Sequence, residues 1–163
     1  MVSQQIEKAM EGLVLLIADS NPYLRRLTRM MLTNLGIKAI YEAQDGVTAI
    51  EAIRNVSPDV MIVDWDMAVL DGREVMRIVR SPGMFPKPNL PVIMLTDRGL
   101  HSRVTAAIRL GVNELLVKPI SPKTLQQRLL GIILNPRPMV RAGKYYIPMP
   151  RRRVDLQAFI NAA

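Results

Sequence analysis

The chain has 163 residues, 49% of them apolar, carries a formal charge of +8 at neutral pH and contains no cysteine. That is material for one full core plus appendages, and it excludes a disordered chain, a disulfide scaffold and a thiolate metal site. The start lacks a basic segment followed by an apolar one, and no apolar stretch is long enough to cross a bilayer, so a cytoplasmic protein with no membrane partner is expected.

Residues 1–12 read as an N-terminal segment with no assigned element. The apolar run from Leu13 to Ala18 reads as a buried strand closed by Asp19. Asn21-Pro22 opens a helix on which Leu24, Leu27, Met31 and Leu35 recur at helical spacing, with Gly36 placed to stop it. Ile37 to Glu42 is a short second strand. Asp45 caps a helix with Val47, Ile50 and Ile53 as its inner face, and Pro58 follows its end. Asp59 to Val63 is the third strand, closed by Asp64, and Asp71-Gly72 leads into a helix around Val75, Ile78 and Val79. A connection rich in proline and glycine, Ser81 to Asn89, precedes the fourth strand, Pro91 to Leu95, closed by Thr96. Leu100 to Leu110 is helical, with Val104, Ala107 and Ile108 inward and Gly111 as its stop. Glu114 to Val117 is the fifth strand, closed by Lys118. Ser121-Pro122 starts the last long helix, which runs to about Leu134.

Strands and helices in regular alternation predict an α/β fold, a doubly wound five-stranded parallel sheet with right-handed crossovers and helices on both faces. The domain is expected over 13–135, followed by a basic extension over 136–163 in which six basic residues face one acidic residue. Within that extension, Lys144 to Ile147 reads as strand-like, and Val154 to Ala163 reads as a segment that could form one weak helix.

Ligands of such sheets bind beyond the carboxyl ends of the strands, where Asp19, Asp64, Thr96 and Lys118 all fall. Two carboxylates, a hydroxyl and an ammonium make a site for a cation and a phosphoryl group. Asp64 sits on the central strand and is the expected nucleophile, forming an acyl phosphate. Asp19 can share Mg²⁺ with it, because that ion takes one or two carboxylates plus phosphate oxygens and water. Lys118 would neutralise one phosphoryl oxygen, and the Thr96 hydroxyl would bind another. Singly, each residue has a structural alternative: Asp19 as a helix cap, Lys118 as a snorkelling side chain, Thr96 as an ordinary strand residue.

Four segments carry a resemblance: Ile17-Ala18-Asp19-Ser20, Asp64 through Gly72, Met94-Leu95-Thr96-Asp97 and Val117-Lys118-Pro119-Ile120. In this order, each at a strand end, they resemble the receiver domain of bacterial two-component response regulators, the CheY-like fold. The resemblance implies a flavodoxin-like strand order 2-1-3-4-5 and assigns the same roles to Asp64, Asp19, Thr96 and Lys118. It adds the backbone carbonyl of Asp66 as a metal ligand. It also implies a sensor histidine kinase or phosphotransfer protein as partner and a phospho-acceptor that catalyses only its own phosphorylation and dephosphorylation.

The sequence departs from that pattern in places. Ala18 stands where a second acid is usual, which should weaken the metal site. Leu115 stands where many receivers carry an aromatic that moves with the threonine. Asp97 adds bulk and negative charge beside Thr96. Asp66 and Arg98 take positions that tune hydrolysis in the family; an ion pair between them across the mouth is geometrically reasonable, and a solvated Arg98 is the alternative. The C-terminal arm, with Tyr145, Tyr146, Ile147 and Met149, is expected to mediate self-association as a homodimer. Two other functions compete with the phosphorelay: a phosphorylation-independent docking module, and nucleic-acid binding through Arg151-Arg152-Arg153, which is not the expected partner class.

Overall fold

The computed structural model describes residues 1–83 and 85–149. The weak helix read over 154–163 and the run Arg151-Arg152-Arg153 lie outside the described residues. The chain begins with α1 (Val2–Glu11), then alternates β1 (Val14–Ala18), α2 (Pro22–Asn34), β2 (Ala39–Ala43), α3 (Gly46–Val56), β3 (Val60–Asp64) and α4 (Gly72–Val79). It continues through β4 (Val92–Thr96), α5 (His101–Arg109), β5 (Glu114–Val117) and α6 (Pro122–Leu134), and a hairpin of β6 (Met139–Ala142) and β7 (Tyr145–Pro148) follows. The five long-range strands pair in parallel in the order β2-β1-β3-β4-β5, the doubly wound α/β arrangement expected from the alternation.

Period-two alternation splits the strand residues between two cores. Leu15, Ile17, Ile62, Ile93, Leu95 and Leu116 face one side, where Leu32 of α2 and Leu125 and Leu129 of α6 cover them. Leu16, Ala18, Met61, Val63 and Met94 face the other, beneath Ile53 of α3, Val75 and Val79 of α4 and Ala107 of α5. Because both faces are covered, β3 and β4 are buried throughout, which is why they read as unbroken apolar runs.

The helix starts follow their caps. The Asn21 side chain accepts from the backbone N–H groups of Tyr23 and Leu24, Asp45 forms a capping box with Thr48, Asp71 accepts from Glu74 N–H, and Ser121 accepts from Thr124 N–H. The α5 start differs, because no side chain caps it at Leu100.

Three features depart from the sequence expectations. The N-terminal segment is a helix whose Met10 and Ile6, one turn apart, pack against the α2 and α6 core. Val47, Val104 and Ile108, expected inward, are 41%, 39% and 48% exposed. Their helices rest on the sheet through Gly46, Ala49 and Ile53, and through Ala107, small contacts that leave the neighbouring β-branched residues outside. The arm, in which Lys144 to Ile147 alone read as strand-like, forms an antiparallel hairpin with Met139 to Ala142 and folds back on the domain. Tyr146 N–H donates to Arg80 O at 3.1 Å, and Ile147 is buried.

Candidate functional site

The alternation of the strands decides which side chains meet beyond their carboxyl ends. Asp19 and Asp64 follow Ile17 and Ile62 by two residues and so continue the row facing α2 and α6, and Lys118 does the same after Leu116. Thr96 follows Met94 and continues the opposite row, toward α5.

Asp64 Oδ1 lies 2.9 Å from Lys118 Nζ, and Asp19 Oδ2 lies 3.7 Å from the same nitrogen. Asp19 Oδ1 accepts from Asn21 N–H at 2.9 Å, so Asp19 braces the turn before α2 while Asn21 serves as the helix cap. Asp19 Oδ2 is buried with no hydrogen-bond partner. A buried carboxylate oxygen without a donor is costly and marks a place where a cation or water belongs. Asp64 is 8% exposed, and its burial pushes the carboxyl above its ordinary value. Lys118 opposes that shift by hydrogen bond and charge, whereas the negative charges of Asp19 and Asp66 reinforce it. Lys118 is held in place by its N–H bond to Thr96 O at 2.7 Å, and the Lys118-Pro119 peptide is cis.

Two glycines let the loop after β3 close over this site. A Cβ on Gly72 would lie 2.5 Å from Asp64 O, and one on Gly46 would lie 2.3 Å from Leu70 O. Neither position accepts a side chain without moving backbone, at Leu70 for Gly46 and at Asp64 for Gly72. Ser20, next to Asp19, accepts from Ala68 N–H at 2.9 Å and ties the same loop to the first strand end.

At the mouth of the site Arg98 takes the solvated alternative rather than the ion pair. Asp66 is paired with Arg103 at 3.3 Å rather than with Arg98. Arg98 is exposed, and its backbone, not its guanidinium, engages Thr96, donating N–H to Oγ1 at 3.2 Å. Arg103 also reaches Asp97 Oδ1 at 3.5 Å, donates to Thr96 Oγ1 at 2.7 Å and stacks over Trp65 at 4.7 Å from the ring centroid. Arg73 lies on the same ring at 5.7 Å. Arg103 lies only seven residues beyond Thr96, but the apolar pattern of its helix does not mark it as turning toward the strand ends. The available signal was its place in the first turn of a helix, where the dipole disfavours a cation unless anions such as Asp66 and Asp97 sit nearby. Leu115 is partly buried against the α3–α5 core, offering neither ring nor hydroxyl to Thr96. Ala18 is buried on the apolar row opposite Asp19.

A family model described as the response regulator receiver domain matches residues 15–130. The chemotaxis protein CheY1 of Helicobacter pylori is 35% identical over 116 residues, spanning 71% of this chain and 92% of that protein. Among solved structures, the receiver domain of the Francisella response regulator 1452 superposes with a TM-score of 0.66 at 27% identity, covering 72% of this chain and 93% of its own. CheY in the CheX-CheY complex of Borrelia burgdorferi, solved with BeF3 and Mg²⁺, shares the fold with a TM-score of 0.67 at 24% identity, over 74% of this chain and 88% of that one.

Proposed function

The chain belongs to the response regulator receiver domain family, and from that premise we propose that it is a phospho-acceptor whose Asp64 takes a phosphoryl group from a histidine kinase or phosphotransfer protein. The observation that carries this reading is the buried Asp64 carboxylate 2.9 Å from Lys118, beside a second carboxylate with an oxygen that receives no hydrogen bond. An Asp64 oxygen attacks phosphorus in line, and the donor's bridging bond to phosphorus breaks with its electron pair leaving on the donor. Lys118 meets negative charge on the transferring oxygens, and the Thr96 hydroxyl would receive one of them. The exposed Asp66 and Asp97 and the solvated Arg98 border the entrance and modulate access of donor and water. The protein acts as a signalling acceptor, catalysing only its own phosphorylation and dephosphorylation, and it signals by changing the surface it offers to other proteins.

Mg²⁺ fits the residues present. The described residues contain no group of three or more His, Cys, Asp or Glu side chains that could hold a metal, but this ion keeps several waters and needs only one or two carboxylates. Asp19, with its orphaned oxygen, and Asp64 would hold it, with the Asp66 backbone carbonyl as a further ligand. When bound it supplies positive charge against the phosphoryl oxygens. The Borrelia CheY complex holds the same ion.

The test is intact mass after incubation with acetyl phosphate and Mg²⁺. The parent chain gains one phosphoryl group that is lost in base, Asp71→Asn keeps the gain, and Asp64→Asn loses it entirely. A gain that persists in Asp64→Asn would put the acceptor elsewhere and end this reading.

A further inference from the structure

Arg103 holds a position that acceptor chemistry does not require. It is the third residue of α5, at the positive end of the helix dipole, yet its guanidinium turns back over the strand ends and is only 16% exposed. It spans three groups, Thr96 Oγ1 at 2.7 Å, Asp66 Oδ2 at 3.3 Å and Asp97 Oδ1 at 3.5 Å, and covers one face of Trp65. No side chain caps α5 at Leu100. Arg103 therefore tethers the first turn of this helix to the site.

The valences of Thr96 show what the tether does. A hydroxyl donates one hydrogen and accepts at two lone pairs. Thr96 Oγ1 donates to Arg98 O at 3.2 Å, and accepts from Arg98 N–H at 3.2 Å and from Arg103 Nη1 at 2.7 Å. Every valence is spent on the α5 side, so an oxygen on Asp64 can take this hydroxyl only by breaking part of that set. Leu115 cannot respond to the change, whereas Arg103 touches both Thr96 and the helix.

We propose that Arg103 is a latch: it holds Thr96 toward α5 in the unphosphorylated chain, and acyl phosphate formation at Asp64 draws Thr96 away and releases the first turn of α5. The inference rests on Asp64 being the acceptor. Arg103 is a positioning residue, acting through Thr96 rather than on the phosphoryl group. The phosphorylated form must overcome the latch, so removing the guanidinium favours that form.

A four-member set tests this: the parent chain, Arg103→Ala, Thr96→Val and the double variant. Acyl phosphate is read by intact mass with acetyl phosphate and Mg²⁺, and affinity for beryllofluoride with Mg²⁺ is read by titration calorimetry. Arg103→Ala should tighten beryllofluoride binding about three- to tenfold, the range for the net worth of one ordinary hydrogen bond. In the Thr96→Val background the same change should have no effect. Amide exchange in the first turn of α5 should quicken in the parent on phosphorylation and be fast in Arg103→Ala beforehand. Weaker beryllofluoride binding in Arg103→Ala would make the guanidinium a phosphoryl ligand, and unchanged binding and exchange would make it a surface ion pair; either overturns the latch. A parent chain that gains no phosphoryl group overturns the acceptor reading and the latch together. A phosphorylated parent with unaltered variants overturns the latch alone.

Discussion

Beyond the carboxyl end of β3, the buried Asp64 leans on a single ammonium, and its neighbour Asp19, ion-paired with the same ammonium at 3.7 Å, keeps an oxygen with no hydrogen bond. Near the amino ends of β4 and β5, the buried Arg80 directs its guanidinium at Gly111 O at 3.0 Å, Pro88 O at 2.7 Å and Asn113 Oδ1 at 3.0 Å. Burial pushes its pKa down to about 9, which leaves it cationic at neutral pH. Asn113 Oδ1 also accepts from Val92 N–H, Asn113 O accepts from Arg137, and Tyr146 N–H closes on Arg80 O. One end of the sheet buries charge and leaves valences open; the other buries charge and fills them. Open valences are what a site for a cation and a phosphoryl group needs, and filled ones are what a structural clamp needs.

The strongest way to break this contrast is Arg80→Met. It removes the donor from three acceptors at once and should destabilise the protein by about 3 kcal/mol in urea unfolding. The folded fraction should still take up phosphoryl groups on Asp64. A neutral effect would mean that carbonyls at this end are satisfied without the guanidinium, and the contrast would fail. Gly111→Ala tests the same end more gently. Gly111 has φ +81°, and an added Cβ would lie 2.8 Å from Tyr146 O. A loss of about 2 kcal/mol is expected, with faster amide exchange at Tyr146 as the hairpin lifts; an unmoved hairpin would show that the close approach is not needed.

The two ends were unequally legible in the sequence. Asp19, Asp64, Thr96 and Lys118 stand out because each interrupts an apolar run at its end, and period-two alternation then fixes the row each joins. Arg80 follows a helix and precedes a loop rich in proline, where an arginine reads as solvated; its burial depends on carbonyls that the chain brings together only in three dimensions. Arg103 was hidden for the same reason, and sequence proximity pointed instead to Arg98, whose backbone N–H and carbonyl both face Thr96. The strand-like character of Tyr145 to Ile147 was visible, but its partner, Met139 to Ala142, was not, because the turn between them relies on Gly143 at φ +61°. The N-terminal helix was legible in principle, because Val2, Ile6, Ala9 and Met10 recur at helical spacing in an otherwise polar run, and Ile6 and Met10 supply its apolar contacts.

The smallest effect sharpens the comparison from the side of Asp64. Burial raises the Asp64 carboxyl above its ordinary 3.8, and the charges of Asp19 and Asp66 add to that, against the pull of Lys118. Between the ordinary and the raised value the folded chain therefore binds more protons at this residue than the unfolded chain does. Stability from this group is complete below the ordinary value and declines as pH rises through the raised one. At neutral pH the ionised Asp64 is a net burden on the fold. Asp64→Asn, close in shape and uncharged, should then raise the melting temperature by a few degrees, about 1 kcal/mol, in metal-free buffer at neutral pH. The gain should shrink as the buffer is acidified through the raised value, because the parent carboxyl is then neutral as well. Mg²⁺ should narrow the gap at neutral pH by stabilising the parent more than the variant. If Asp64→Asn is instead less stable at neutral pH, the Lys118 pairing outweighs the burial, and Asp64 belongs with Arg80 among charges the fold uses to hold itself together.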